Sequence, residues 1–189
     1  APDGEEPTET RLISTNTVSA EVSSTLKKSA VIATAAAIVL MLIYIAFRFE
    51  FSSALAAIIC LAHDVMVMIL AYVVFQIPVG STIIAAILTI VGYSINATIV
   101  VFDRLRENIK KMPGASLEQK IDGSIKSTFW RSINTTIPTL FTIGLVYLLG
   151  VTSIKNFALP LIVGIVSGAF SSICLAGNLH FVLKNKKAK

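Results

Sequence analysis

From residue 29 onward the chain alternates long apolar runs with short polar interruptions. Runs at 29–47, 51–75, 82–102, 132–150 and 157–183 each approach the roughly 20 residues that cross a bilayer as a helix. The interruptions are patterned too. Arg48-Phe49-Glu50 makes a short reversal, Pro78 and Gly80 break 76–81, and 151–156 reads as a turn. The one long charged connection, 103–129, is divided by Pro113-Gly114. After that division Ser116-Leu-Glu-Gln119 has the spacing of a capping box, and Leu117, Ile121 and Ile125 fall at i, i+4 and i+8. This predicts a helix with one apolar face, lying along the membrane surface or offering a docking face to a partner. Residues 1–28 are polar and acid-leaning, too poor in apolar side chains to form a core, and are predicted to be partly disordered. Within them 17–26 reads as an ordered lead-in with Ser19 or Ser23 as N-cap. The predicted fold is an all-α membrane protein. It is a bundle of five transmembrane helices with an interfacial helical connection between the third and fourth.

Composition sharpens this. With 54% hydrophobic and 14% charged residues and a mean hydropathy of +0.79, the chain is not an ordinary soluble domain. A net charge of +5 raises the question of nucleic acid, and the placement of the bases answers it. Arg48, the seven bases from Arg104 to Arg131 and the four terminal lysines, twelve of the sixteen, fall on one side of the predicted membrane. The loops of the other side hold only Lys155, with Lys27 and Lys28 flanking the first run. The positive-inside rule makes the basic side cytoplasmic and puts the N-terminus of the chain outside. The implied partner is the lipid bilayer and not nucleic acid. Cys60 and Cys174 sit inside apolar runs as small buried side chains, and no CxxC or His/Cys cluster indicates a metal or cofactor. The chain opens without an initiator Met or a signal peptide and reads as a segment of a longer protein.

Ionisable groups inside a span are costly and point to function by default. His63 and Asp64 lie about halfway along the second run. They read as an ion path or relay, or as a structural pair bonded to neighbouring helices. As sequence neighbours they are expected to contact different helices. In 88–108, LTIVGYSINATIVVFDRLREN, the residues Thr89, Gly92, Asn96, Val100 and Asp103 share one helical face. Gly92 reads as a packing residue, and Asn96 as an interhelical hydrogen bond or part of a polar path. Asp103, Arg104, Arg106 and Glu107 form a charge cluster at the cytoplasmic end, either solvated or part of a gating network. Arg131, Thr135, Pro138, Thr139 and Thr142 make a second stripe, with Asn134 beside it. Pro138 cannot donate to the Asn134 carbonyl, so this stripe reads as a water-accessible path or as interhelical glue. Gly164 and Gly168, followed by Ser171 and Ser172, have the spacing of close helix packing. No HExxH, phosphate loop or GxSxG is present, and adjacent His63 and Asp64 are poorly placed for a nucleophile–base–orienter chain, so an enzyme is not expected.

The string GYSINATIVVFDRLREN resembles the signature of the SecF branch of the SecD–SecF family of bacterial protein-export membrane proteins. That family belongs to the proton-driven resistance–nodulation–division superfamily. AFRFE, LAHDV, the region of Arg131 and GIVSGAFSSI extend the likeness over most of 20–183. The resemblance implies a six-span protein with a soluble extracytoplasmic domain between its first two spans. This chain would hold the last five spans, in the bacterial inner membrane, with 1–26 as the tail of that domain and the C-terminus in the cytoplasm. It further implies an auxiliary export subunit that pairs with SecD beside the SecYEG translocon. Such a subunit draws on the proton-motive force to promote late preprotein movement, touching the preprotein through the missing domain. Arg131 matches a position of the family's proton route. Ala97 departs from the pattern, since the family commonly has Asp there, and Ala cannot carry a proton. Two other readings stay open: a proton-coupled transporter half for a small molecule or lipid, and a non-conducting scaffold for SecD.

Overall fold

A computed structural model describes residues 25, 28–29, 31–41, 43–45, 47–80 and 82–187. The polar lead-in, with its suggested caps Ser19 and Ser23, lies outside the described residues. Those described are mostly helical, with no strand among them. An apolar helix α1 (Val31–Ile45) leads into α2 (Phe51–Val74), α3 (Thr82–Lys111), α4 (Leu117–Leu149), α5 (Thr152–Phe170) and α6 (Ala176–Lys187). A π-helical segment, Ser171–Leu175, joins α5 to α6 without a break. Four of these rods are long and apolar enough to cross a membrane: α2, α3, α4 and the α5–α6 rod. α1 ends, α2 begins, α3 ends, α4 begins and α6 ends at the same pole, which therefore gathers the basic residues.

The helix boundaries follow local chemistry. α2 stops because Gln76 takes a left-handed backbone (φ 50). The Ile77 amide then reaches back to the Tyr72 carbonyl at 3.0 Å, and Ile77 packs with Tyr72 in one apolar cluster. A side chain costs about 1 kcal/mol in that conformation. Gln76→Gly is therefore expected to stabilise the protein by up to about 1 kcal/mol, less the entropy Gly adds to the unfolded chain. A thermal midpoint in detergent that falls instead of rising would contradict this. At the other pole Gly114 (φ 90) turns the chain, and Ser116 and Gln119 form the expected reciprocal cap at 3.3 and 3.1 Å.

Two boundaries differ from expectation. The helix opened by Ser116 is not a separate surface element; it runs on as the first part of α4. No proline interrupts 117–132, and the Leu117, Ile121 and Ile125 face finds its cover inside the chain. It packs on α6 so tightly that a Cβ at Gly177 would lie 2.8 Å from Ile121 and 3.0 Å from Ile125. Likewise 151–156 is not a turn: α5 already starts at Thr152, after Val151.

The core has two apolar clusters with a polar layer between them. Towards the basic pole, Ala56, Cys60, Phe102, Leu105, Ile121 and Ala176 pack together. Towards the other pole, Met68, Tyr72, Ile90, Leu161 and Ile165 do the same. Along α2, α3 and the α5–α6 rod alike, the residues separating the clusters are Asp64, Ser94, Ser167 and Ser171. α4 is peripheral and buries only a narrow seam, Ile121, Ser124, Thr128, Ser132 and Thr136.

Candidate functional site

Asp64 is completely buried in the polar layer. Three hydroxyls from three directions converge on its carboxylate. Ser167 of α5 donates to Oδ1 at 2.7 Å. Ser171, the first residue of the π segment, donates to Oδ2 at 2.6 Å, and Ser94 of α3 donates to the same oxygen. The Nδ1 of His63 stands 3.1 Å from Oδ1. The close approach depends on glycine. A Cβ at Gly168 would come 3.3 Å from that of Ser94 and 3.7 Å from Asp64 Oδ2. A Cβ at Gly164 would collide with Ile90 at 2.6 Å. The π segment adds its own distortion: π-bulges interrupt the regular hydrogen-bond ladder and recur at functional sites.

His63 and Asp64 thus contact each other, while each also meets different surroundings, as expected of sequence neighbours. Adjacent helical positions do point apart, but the imidazole is long enough to fold back on the carboxylate while its body stays outside. The His63 side chain is 40% exposed and lines an open apolar cleft of about 490 Å³ between α2 and α5, with Val67, Val166 and Phe170. It links a buried acid to the bundle's outer surface.

The other predicted residues fall elsewhere. Asn96, Arg131 and Thr135 line one small cleft of about 70 Å³ between α3 and α4, together with Tyr93, Ala97 and Ser132. That space admits a few waters between its polar groups and the apolar Ala97 and Val100. Beside it the Tyr93 hydroxyl bonds Thr136 at 3.0 Å. The stripe of threonines is turned outward, and Thr135, Thr139 and Thr142 bond carbonyls of their own helix instead of a neighbouring one. The buried seam runs one position over, through Ser124, Thr128, Ser132 and Thr136. Gly92 packs against no other helix among the described residues: it is exposed, and a Cβ there would meet none of them within 4 Å. The charge cluster divides. Asp103 bridges to Arg48 at 3.1 Å, Arg104 holds Glu107 and reaches Ser127 of α4 at 3.0 Å, and Arg106 points into a separate cavity. These pairs are half-exposed, where ion pairs contribute little.

Residues 4–186 match the family model described as protein export membrane protein SecD/SecF, C-terminal. The chain belongs to the SecD/SecF family. The protein translocase subunit SecF of Sebaldella termitidis is 43% identical over 177 residues, covering 93% of this chain and 58% of that protein. The subunit SecDF of Bacillus subtilis is 38% identical over 177 residues, covering 92% of this chain and 24% of its own length. A crystal structure of SecDF from Thermus thermophilus, a translocon-associated membrane protein, superposes with a TM-score of 0.77 at 39% identity. That match covers 82% of this chain and 22% of the other. The chain therefore spans little more than half of a SecF relative and about a quarter of a SecDF one. Membership agrees with the architecture of a multi-pass helical membrane protein.

Sequence reasoning found Asp64 but not its cage. No motif in the sequence marks Ser94 inside GYSIN or singles out Ser167. Ser171 reads from sequence only as a packing residue. The available signal was positional: Ser167 and Ser171 share a face with Gly164 and Gly168, so a helix close enough to need those glycines is close enough to bond the serines.

Proposed function

We propose that the chain forms the C-terminal membrane part of an auxiliary protein-export subunit. In this reading it pairs with SecD beside the SecYEG channel and uses the proton-motive force to promote late preprotein movement. The observation carrying it is the fully buried Asp64 held by hydroxyls from two other helical rods, in a chain of this family. A hydroxyl either donates or accepts, so the same cage holds the carboxylate or the neutral acid. Ser171 has a second acceptor ready, the Gly168 carbonyl at 3.2 Å. When Asp64 takes a proton through His63, Ser171 turns to that carbonyl and accepts from the acid, loosening α2 from the α5–α6 rod. The basic pole is cytoplasmic in this scheme, and the extracytoplasmic domain converts the repacking into movement of the preprotein. The exposed Thr89, Gly92 and Asn96 strip of α3 supplies a polar contact surface for SecD, since a polar strip is costly against lipid.

The test uses the full-length protein with SecD in vesicles carrying an imposed proton gradient, with preprotein export as readout. The unaltered sequence is expected to respond to the gradient. Ala97→Asp is expected to respond at least as strongly, because its carboxylate would share the small cleft with Arg131. A response confined to Ala97→Asp would move the coupling to that cleft and overturn the assignment to Asp64. No gradient response in either would remove the proton-driven reading.

A further inference from the structure

The basic pole holds a second polar site, away from Asp64. A cavity of about 440 Å³ opens between the end of α1, the start of α2, the last turns of α3 and α6. This is within the range of roughly 300–1,000 Å³ typical of small-ligand sites. Its polar lining comprises Arg48, Glu50, Ser53, Arg106, Lys110 and His180. Two of the charges are already engaged, Arg48 by Asp103 at 3.1 Å and Glu50 by Lys184 at 2.9 Å. Arg106 and Lys110 have no hydrogen-bond or ion-pair partner among the described residues, so the cavity carries two uncompensated cations.

His180 adds direction. It is 1% exposed, its ring packs on Phe102 at 5.9 Å, and its Nδ1 is 3.1 Å from the Ser53 hydroxyl. Its Nε2 is buried without a hydrogen-bond partner among the described residues. His180 is the only partner of the Ser53 hydroxyl among the described residues. In the tautomer where that hydroxyl donates to Nδ1, the ring proton sits on Nε2 and faces the cavity. Buried donors without an acceptor are rare in folded proteins, and this one lines a cavity holding two free cations. α2 also begins here, without a side-chain cap, and brings the positive end of its dipole.

We propose that this cavity binds a phosphate group, its oxygens accepting from His180 Nε2 and paired with Arg106 and Lys110. The chemistry is common to an anionic phospholipid headgroup and to free phosphate. The position at the pole of a membrane bundle makes both sources accessible, and basic pockets between spans are a recurrent headgroup site.

The test takes the full-length protein with its SecD partner, delipidated in neutral detergent, and titrates three probes: dihexanoyl phosphatidylglycerol, dihexanoyl phosphatidylcholine and inorganic phosphate. Thermal midpoint is followed for the unaltered chain, for Arg106→Gln/Lys110→Gln and for His180→Phe. The double variant changes only exposed side chains, so it reports on binding even where His180→Phe fails to fold. Phosphatidylglycerol is expected to raise the midpoint of the unaltered chain, with apparent affinity at least tenfold weaker in the double variant. A matching response to inorganic phosphate identifies the free anion as sufficient; a response to phosphatidylglycerol alone identifies the headgroup. Equal responses to phosphatidylcholine and phosphatidylglycerol, or equal affinity in the double variant, overturn the proposal.

Discussion

Asp64→Asn is expected to reduce gradient-driven export to the level seen with no gradient, while the protein stays folded and paired. The substitution keeps the size of the side chain and one carbonyl oxygen but removes its ability to take up and release a proton. Ser167 keeps its acceptor at the position of Oδ1. Ser171 turns to the Gly168 carbonyl and accepts from the new amide, so most of the cage stays satisfied. Ser94 and Ser171 both face the new amide, so two hydrogen bonds rearrange at a cost on the order of 1 kcal/mol each, too little to unfold a well-packed bundle. Asp64→Leu separates the two roles. It strands buried hydroxyls, each costing about 1–3 kcal/mol, and should lower the amount of folded protein as well as export. The comparison needs export in vesicles and folded yield by size-exclusion chromatography for the same preparations. Normal gradient response in a stable Asp64→Asn protein would sink the proton-carrier role.

Gly164→Val should strongly disrupt the packing of α5 on α3. Even the first added carbon would sit 2.6 Å from Ile90 Cδ1 and 2.7 Å from Cγ1, and Ile90 is itself fully buried against Met68 and Ile165. Overpacking of this kind costs typically about 1–3 kcal/mol. Separating α3 from α5 by even a fraction of an ångström also stretches the Ser94 and Ser167 bonds to Asp64, so export should fall with stability. Gly168→Ala is expected to be milder, because its Cβ would meet the Ser94 Cβ at 3.3 Å rather than a side chain already wedged in place. A compensating Ile90→Ala in the Gly164→Val background tests the cause. The double variant should recover part of the lost stability, a coupling of about 0.5–3 kcal/mol between contacting residues. Additive losses measured by thermal unfolding in detergent would show that the Ile90 contact is not the reason.

Much of the fold follows from hydropathy alone. A run of about 20 uncharged residues has no inexpensive place other than a membrane helix, because only a helix satisfies its own backbone there. The spans, the break at Pro78 and Gly80, the Ser116 cap and the gathering of bases at one pole were therefore legible from residue order. So was Asp64, since a carboxyl in an apolar run stands out whatever surrounds it. Helix ends were read less well. Local pattern does not tell whether the Leu117, Ile121 and Ile125 face meets lipid or Gly177 of α6, and that choice decides whether a separate helix forms.

The chemistry of the site depended on contacts between distant parts of the chain. Asp64, Ser94, Ser167 and Ser171 are scattered along the sequence, and small hydroxyl residues look alike whether they bond their own helix, as Thr139 and Thr142 do, or a carboxylate on another. Only the crossing of α2, α3 and α5 at Gly164 and Gly168 separates the two cases. The same holds for His180, an unremarkable histidine in sequence until Ser53 takes one ring nitrogen and the fold leaves the other facing a cationic cavity. Solvation energy is written residue by residue, so the chain alone determined which segments enter the membrane. Hydrogen bonding needs two groups within about 3 Å, so only the tertiary structure decided which polar residues form a site.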